Sequence, residues 1–228
     1  MIIRTKSCLR LASLALVCGL VACAGGSSSA VLVTGLAEDF ESTAPGALPG
    51  GFFAAETNGA GMPAAWAVTD GGAAGGARCL RVGEVRNTGD TYNLLLSREH
   101  CPADLAIDVK LRADAGEEDQ GGGVVWRARG PHDYYVARWN PLEDNVRIYK
   151  VQGGVRTQFA TAKVHVEPGQ WHQLSITQKG ARATVAFDGK PMLDIEDASF
   201  AGPGMVGFWT KADAAVSFDE FSVRALTN

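Results

Sequence analysis

The stretch that decides the fold is Leu105-Ala106-Ile107-Asp108-Val109-Lys110-Leu111-Arg112, in which a large apolar residue occupies every second position. Successive side chains of a β-strand point to opposite faces, so residues 104–112 are predicted to form a strand with one face in a core and the other in solvent. Short runs of the same kind, separated by Gly, Pro, Asn and Asp, lie on both sides of it. No stretch of ten or more residues has a helical apolar period, and the pattern predicts an antiparallel β-sandwich.

The central part of the sequence predicts a series of strands that neighbour one another in a sheet. Residues 124–129, 134–140, 145–151 and 155–161 are joined by turns short enough for direct antiparallel neighbours. Further strands are predicted at residues 171–179, 181–187, 205–211 and 216–224. In the last of these, Val216 and Phe218 share one parity while Phe221 and Val223 take the other, which predicts a bulge at Asp219-Glu220.

The N-terminal residues have the order of a secretory signal. Basic residues precede an apolar run over 11–20, and the run ends in Leu20-Val21-Ala22-Cys23, which resembles the lipobox of bacterial lipoproteins. We therefore expect a signal peptide at 1–22, a lipid anchor at Cys23 with a flexible tether to residue 36, and a β-sandwich domain over 37–228. The alternative is an ordinary cleaved signal with a chance cysteine. Ala24 follows the cysteine, and the absence of Asp at this position resembles lipoproteins that are sorted to the outer membrane. The expected location is therefore the bacterial cell envelope, with a lipid anchor in the outer membrane.

Charge and cysteine content narrow the expected partners. Loss of residues 1–22 removes three basic and no acidic residues, which changes the net charge from −4 to −7 and disfavours a nucleic-acid partner. The remaining 206 residues are enough for one large β domain. Cys79 and Cys101 are the cysteines left after Cys23, and in an oxidising compartment they are expected to form a disulfide.

One face of the central strands combines aromatic, Arg and Asn side chains. Alternation assigns these residues to the same outward surface: Arg127, Tyr134, Arg138, Asn140, Asn145, Arg147 and Tyr149, with Trp209 as a further candidate. Aromatic rings stack on the C–H side of a pyranose, and Arg and Asn bond pairs of hydroxyls. The surface therefore predicts carbohydrate binding. The alternative is a solvated face on which these side chains only contact one another across the strands and bind no ligand. Glu143 and Asp144 would then neutralise the arginines.

Several segments resemble a known family. They are G-G-G-V-V-W-R-A from Gly121, D-Y-Y-V-A-R-W-N-P-L-E-D-N-V-R-I-Y-K-V from Asp133, P-G-Q-W-H from Pro168 and V-G-F-W-T-K-A-D from Val206. Together they look like the concanavalin A-like jelly-roll domains grouped with the 3-keto-disaccharide hydrolases, which are similar to laminarin-binding and glucanase-like sandwiches. The resemblance covers about residues 37–226, and it implies a jelly roll of two antiparallel sheets with sugar chemistry on a concave face.

The sequence assigns no catalytic residue. Laminarinase-type jelly rolls use E-x-D-x-E, and the nearest string here, Leu193-Asp194-Ile195-Glu196-Asp197, lacks the first Glu. Glu117-Glu118-Asp119 and His132 lie in turns where such residues are commonly only solvated. The expected function is therefore that of a carbohydrate-binding envelope lipoprotein. The alternatives are a 3-keto-glycoside hydrolase acting on the same face and a structural or protein-binding envelope module.

Acidic residues near both ends of the domain suggest a structural calcium site. Asp39 and Glu41 lie near the first strand and Asp219 lies in the last, and terminal strands commonly pair in jelly rolls. Carboxylate oxygens are ligands that Ca²⁺ prefers. The alternative is that these acids lie on a solvated edge, as most acidic residues do.

Overall fold

The computed structural model describes residues 32–59, 61–83, 85 and 87–227, so the predicted signal peptide, the lipidation site at Cys23 and most of the tether lie outside the described residues. Within those ranges the strands are β1 (Gly35–Glu38), β2 (Phe52–Thr57), β3 (Trp66–Asp70), β4 (Arg78–Val82), β5 (Tyr92–Ser97), β6 (Leu105–Ala115), β7 (Gly122–Gly130), β8 (Asp133–Asn140), β9 (Asn145–Gln152), β10 (Val155–Lys163), β11 (His172–Lys179), β12 (Arg182–Phe187), β13 (Lys190–Glu196), β14 (Met205–Lys211) and β15 (Ala215–Ala225). A single 3₁₀ turn, Pro141–Glu143, is the one helical element of this part of the chain. No helix within the described ranges is both long and apolar enough to span a membrane.

The strands form two antiparallel sheets. The back sheet has the order β13-β12-β11-β6-β15-β4-β3, and β1 also pairs with β15. The front sheet has the order β10-β9-β8-β7-β14-β5-β2. The predicted sandwich of two antiparallel sheets is confirmed, and each strand predicted from residue 104 onward is present with ends shifted by three residues or fewer. Strand β1 begins at Gly35, slightly before the predicted start of the domain.

The main core lies between the two sheets. The apolar residues of β6 that define the alternating pattern, Leu105, Ile107, Val109 and Leu111, are all buried in it. At its centre the ring of Phe208 from the front sheet lies 5.0 Å from Phe218 and 4.7 Å from Phe221 of the back sheet, measured between ring centroids. Burial of this apolar surface is the principal force that holds the sheets together.

The front sheet also buries its other face. A second core on that side contains Tyr92, Leu94, Leu96, Val125, Ala128, Tyr134, Val136, Tyr149, Val151, Met205 and Trp209. These residues alternate along their strands with members of the main core, which places the two clusters on opposite faces of the same sheet. A sheet with one solvated face, as the alternation predicts, is therefore not what these strands form.

Strong curling of the front sheet explains the second core. Thr57 of β2 and Tyr134 of β8 are four strand positions apart, about 19 Å in a flat sheet, yet their side-chain oxygens are 2.9 Å apart. Asn58 Nδ2 donates to the carbonyl of Gly154 at 2.8 Å, and the guanidinium of Arg156 lies 5.0 Å from the centroid of the Tyr92 ring. The twist common to all sheets is here large enough to bring two diagonal corners together. We call this set of contacts the corner clasp.

Two glycines accommodate the curl in the middle of the front sheet. A Cβ atom at Gly123 of β7 would lie 2.0 Å from the carbonyl oxygen of Ala137, and one at Gly207 of β14 would lie 2.0 Å from the carbonyl oxygen of Leu95. Any side chain at either position would force the neighbouring strand away. Glycine is therefore required where these central strands approach each other most closely.

Bulges adjust the strands at several places. The predicted bulge in β15 is confirmed, since its register against β6 shifts between Asp219 and Ser222 and Glu220 has a φ of 46°. The edge strands β10 and β13, which lie next to each other in different sheets, have bulges as well. The β10 register shifts between Gln158 and Ala160, and the pairing of β12 with β13 shifts between Val185 and Ala186.

A further bulge overturns the predicted position of Arg127. This residue has a φ of 48°, and the register of β7 against β8 shifts beyond Trp126. As a result Trp126 lies in the main core and Ala128 in the second core, although parity alone places both on one face. Arg127 is therefore not on the outward surface, and its side chain is only 1% exposed.

The Arg127 guanidinium connects the front sheet to loops at the end of the sandwich. It donates to the carbonyls of Ala103 at 2.9 Å, Phe200 at 2.8 Å and Gly180 at 2.9 Å, and it lies 3.4 Å from Asp104. A buried guanidinium is stable only when its donors are satisfied, and these carbonyls satisfy them. The residue has a structural role.

The predicted disulfide is wrong, because Cys79 and Cys101 are both free and buried. Cys101 belongs to the main core, where burial, with the charge of Glu99, raises the pKa of its thiol to about 11. Cys79 alternates with the core residue Leu80 and therefore points to the opposite face of the back sheet, where its Sγ lies 3.7 Å from Thr69 Oγ1. The back sheet itself separates the two thiols.

Replacement of Arg127 by Met is expected to lower the free energy of unfolding by about 3 kcal/mol, because three carbonyls lose their donor. Arg129→Met is the matched control. Arg129 is exposed and its guanidinium only lies over the Phe200 ring at 5.1 Å, so its loss should cost less than about 1 kcal/mol. Urea unfolding of both variants measures the difference, and equal losses would show that Arg127 is not a structural tie.

Candidate functional site

The 3₁₀ turn between β8 and β9 positions the charged side chains of the site. Asn140 begins the turn, and its Oδ1 accepts a hydrogen bond from the backbone N–H of Leu142 at 2.9 Å. Pro141 favours the first turn position, and Asp144 ends the turn with a φ of 51°. This geometry directs the carboxylate of Glu143 back over the two strands that the turn connects.

A single carboxylate bridges two arginines. Arg138 of β8 is directly opposite Arg147 of β9, an unfavourable placement for like charges unless an anion lies between them. Glu143 Oε2 is that anion, since it accepts from Arg138 Nη2 at 2.8 Å and lies 2.6 Å from Arg147 Nη1. The expectation that an acid of this turn neutralises the arginines is confirmed for Glu143.

Asn145 and Tyr149 complete the network. Asn145 Oδ1 accepts from Arg138 Nη1 at 2.7 Å, and its Nδ2 donates to the carbonyl of Glu143 at 2.8 Å. The Tyr149 hydroxyl accepts from both Arg138 and Arg147 at 3.2 Å. The guanidinium of Arg156 lies 4.6 Å from the centroid of the Tyr149 ring. Each planar group is thus held in one orientation by the others.

The network keeps Glu143 ionised. Partial burial opposes ionisation of this carboxyl, but the hydrogen bond and charge of Arg138, with Asn145 and Arg147, outweigh it and hold the pKa below its ordinary value. Glu143 therefore carries a negative charge across the physiological range. A carboxylate in this state accepts hydrogen bonds and is unsuited to donate a proton.

An open cleft of about 660 Å³ lies beside this network. It is lined by Glu143, Asp144, Asn145, Arg147, Thr161 and Lys163. Its floor is the β9–β10 pair, in which Arg147 is opposite Thr161 and Asn145 is opposite Lys163. The Arg147 side chain is 27% exposed, and Thr161 and Lys163 are exposed. We call this feature the arginine cleft.

The structure places the predicted surface residues in three environments: around Glu143, at the end of the sandwich and in the second core. Arg138, Asn145, Arg147 and Tyr149 come together around Glu143, but of these four only Arg147 is partly exposed. Arg138, Asn145 and Tyr149 are buried in the network and the second core, so their predicted outward exposure is wrong. Asn140 lies next to them and is buried as well, with its Nδ2 donating to Asp119 Oδ1 at 3.0 Å. Arg127 lies at the end of the sandwich.

Tyr134 and Trp209 do share one face of the front sheet with these residues, but neither is on an open surface. Both are 0% exposed in the second core, and burial raises the pKa of Tyr134. Their predicted place on an exposed sugar surface is wrong, because the corner clasp closes that part of the face.

The acidic loop before β7 also folds inward. Asp119 is buried, accepts the backbone N–H of Gly121 at 2.8 Å, and has its pKa raised by burial. Asp213 holds this loop by accepting the backbone N–H groups of Glu117, Glu118 and Asp119. His132 is exposed in the β7–β8 turn. Neither Asp119 nor His132 lines the arginine cleft.

Sequence reasoning missed Thr161 and Lys163. A regular β9–β10 hairpin places Ala160 opposite Arg147, but the bulge after Gln158 moves Thr161 there instead. The same shift brings Lys163, beyond the predicted end of the strand, opposite Asn145. The alternation of the strand alone has no signal for this bulge.

The acidic residues proposed for calcium hold loops instead of facing one another. Asp219 Oδ2 accepts the backbone N–H groups of Ala74 at 2.8 Å and Gly75 at 3.0 Å, and Glu41 Oε1 accepts those of Ala77 and Arg78. In the described part of the chain no three His, Cys, Asp or Glu side chains are grouped to hold a metal ion. Asp39 Oδ1 accepts the backbone N–H of Glu41 at 3.1 Å. Calcium binding by these residues stays a sequence prediction.

Solved structures with this fold include a carbohydrate-binding module. The carbohydrate binding module CBM66 from Bacillus subtilis is 18% identical, covers 77% of this chain and 96% of its own, and superposes with a TM-score of 0.60. Cellulose induced protein Cip1 is 12% identical, with 84% and 97% covered and a TM-score of 0.57. A Bacillus subtilis protein of unknown function with a galectin-like fold is 12% identical, with 70% and 88% covered and a TM-score of 0.52. At these identities the similarity establishes the fold.

Two sequence comparisons complete these findings. The family model described as 3-keto-alpha-glucoside-1,2-lyase-like domain matches residues 53–224. Cadherin-4 of Caenorhabditis elegans is 24% identical over 121 residues, which are 53% of this chain and 2% of that protein. The chain thus matches only a very small part of that relative.

Replacement of Glu143 by Gln is expected to destabilise the protein by about 1 kcal/mol at neutral pH, because Arg138 and Arg147 lose the anion between them. A carboxyl with a lowered folded-state pKa contributes stability above its unfolded pKa of about 4.3 and loses it as the pH falls through the folded value. The difference between wild type and variant should therefore shrink in acid. Urea unfolding at several pH values tests this, with Glu117→Gln as an exposed control; a difference that is constant with pH would contradict it.

Proposed function

Because the chain belongs to the 3-keto-alpha-glucoside-1,2-lyase-like domain family, we propose that it binds carbohydrate in the arginine cleft. The family membership agrees with the resemblance in the sequence. The fold is that of carbohydrate-binding and glycosidase-type β-sandwiches. The proposal concerns the ligand and its place on this fold.

The observation that carries the proposal is the rigid polar wall of the cleft. Arg147, Asn145 and Glu143 are fixed by mutual hydrogen bonds, so their unused donors and acceptors are oriented before a ligand arrives. Arg147 Nη2 and Glu143 Oε1 have no hydrogen bond among the described residues, which leaves a donor and an acceptor for neighbouring hydroxyls. The cleft volume of about 660 Å³ is in the range of small-ligand sites.

The carboxyl groups of the cleft favour binding over hydrolysis. Glycoside hydrolysis commonly needs one protonated carboxyl opposite a second carboxylate. Glu143 is held ionised by its arginines, so it is not in the state required of the acid. The other carboxyl of the lining belongs to Asp144, whose Oδ1 lies 2.8 Å from His165 Nδ1 in an exposed pair.

A second candidate function is cleavage of a sugar on the same face, as the family description suggests. Asp119 is the residue that favours it, because burial raises the pKa of its carboxyl as expected for a general acid. Its burial beside Asn140 outside the cleft makes this function the weaker of the two. The third possibility, a protein-binding envelope module, requires no sugar at all.

Carbohydrate binding is tested by a glycan array probed with wild type, Arg147→Gln and the control Arg182→Gln. Arg182 lies on the back sheet in an exposed pair with Asp194. We expect Arg147→Gln to weaken binding of the best glycan by about tenfold or more, a loss of about 1.4 kcal/mol, and the control to be unchanged. Absence of any glycan ligand would overturn the proposal, and release of a shortened product would favour the second candidate.

We also propose that Cys23 carries the lipid that anchors the protein in the outer membrane of a bacterial envelope. The support is the order of basic residues, apolar run and Leu-Val-Ala-Cys at positions 20–23. In cells fed radiolabelled palmitate the protein should become labelled and fractionate with the outer membrane, whereas Cys23→Ser should not be labelled. Labelling that persists in Cys23→Ser contradicts the anchor.

A further inference from the structure

The charge balance of the arginine cleft differs from that of the whole chain. The chain has a net charge of −4. The cleft is lined by two cations, Arg147 and Lys163, and two anions, Glu143 and Asp144. The buried guanidinium of Arg138 also pairs with Glu143, and His165 lies beside Asp144. Both anions therefore have a cationic partner, and Lys163 is left as an exposed cation on an acidic protein.

Two cationic donors of the cleft are unused. Glu143 Oε2 accepts from Arg138 and Asn145 and pairs with Arg147, and Asn145 Oδ1 is taken by Arg138. Arg147 Nη2 has no partner among the described residues, and Lys163, which is exposed in the lining, has none there either. A ligand group that only accepts hydrogen bonds suits this pair of donors.

The spacing of the cations suits an oxyanion. Arg147 of β9 is directly opposite Thr161 of the adjacent strand β10. Lys163 lies two residues beyond Thr161 on β10, so Arg147 and Lys163 are diagonal neighbours on one face of the sheet. Diagonal neighbours of this kind are about 7 to 8 Å apart at the backbone, within reach of two long side chains that converge on one group. A guanidinium presents two parallel N–H groups to a carboxylate, and a lysine adds a point charge.

We propose that the saccharide bound in the arginine cleft is acidic, carrying a carboxylate or sulfate group that Arg147 and Lys163 contact. This inference rests on the proposed function and specifies its ligand class. Glu143 Oε1 remains available for a hydroxyl of the same sugar. An acidic saccharide combines both requirements.

The experiment compares saccharides that differ only in charge. Isothermal titration of the full chain is done with oligogalacturonate, alginate and hyaluronan oligosaccharides and their carboxyl-reduced counterparts, and with a sulfated oligosaccharide and its desulfated form. We expect at least one acidic member to bind about tenfold or more tightly than its neutral partner, and that preference to weaken with added salt. The carboxylate and sulfate pairs distinguish the two sources of charge.

Lys163→Gln should abolish most of the preference for the charged member, measured as the ratio of the affinities for the two members of a pair. Lys179→Gln, at an exposed position of β11 on the back sheet, is the matched control and should behave as wild type. Equal affinities within every pair, or binding of neutral saccharides alone, would overturn the acidic ligand while leaving carbohydrate binding in place. No binding of any saccharide, acidic or neutral, would overturn both.

Discussion

The meeting of two diagonal corners of the front sheet is the constraint on which the rest of the molecule depends. The contacts are few: a hydroxyl pair between Thr57 and Tyr134, a hydrogen bond from Asn58 to Gly154, and Arg156 over the Tyr92 ring. They are possible only because the sheet twists strongly, and glycines at 123 and 207 permit the close approach of its central strands. Once the corners meet, the enclosed face has to be filled, and a second core of aliphatic and aromatic side chains fills it.

This closure determines where polar chemistry is possible on the front sheet. The middle of the face is occupied by Trp209, Val136 and their neighbours, and the charged network around Glu143 lies at its margin, where β8 turns into β9. There the 3₁₀ turn supplies Glu143 between Arg138 and Arg147, and the network so formed is partly buried by the sheet. Partial burial strengthens its hydrogen bonds and fixes its side chains, which gives the arginine cleft one rigid wall.

The sequence predicts the strands well because each depends on local alternation. The β15 bulge was predictable too, since the change of parity between Phe218 and Phe221 is visible in the residues themselves. The bulge at Arg127 was not, because Trp126 and Ala128 are both apolar and their parity conceals that they lie on opposite faces. The exposure of Tyr134 and Trp209 depends on contacts between strands far apart in the sheet. The pairing of Cys79 with Cys101 likewise depends on which face of the back sheet each thiol occupies, and counting cysteines does not supply that information.

The bulges in β10 and β13 have a consequence beyond the site. Each of these strands is one of the two edges of its sheet, and contacts join them along one side of the sandwich. An unpaired strand edge is a template on which another chain can add a strand and begin a fibril. Both bulges interrupt the regular row of backbone groups, and Pro191 removes one N–H from β13. This side of the molecule is thus a poor template for a strand from another copy, which disfavours self-association where many copies are crowded together.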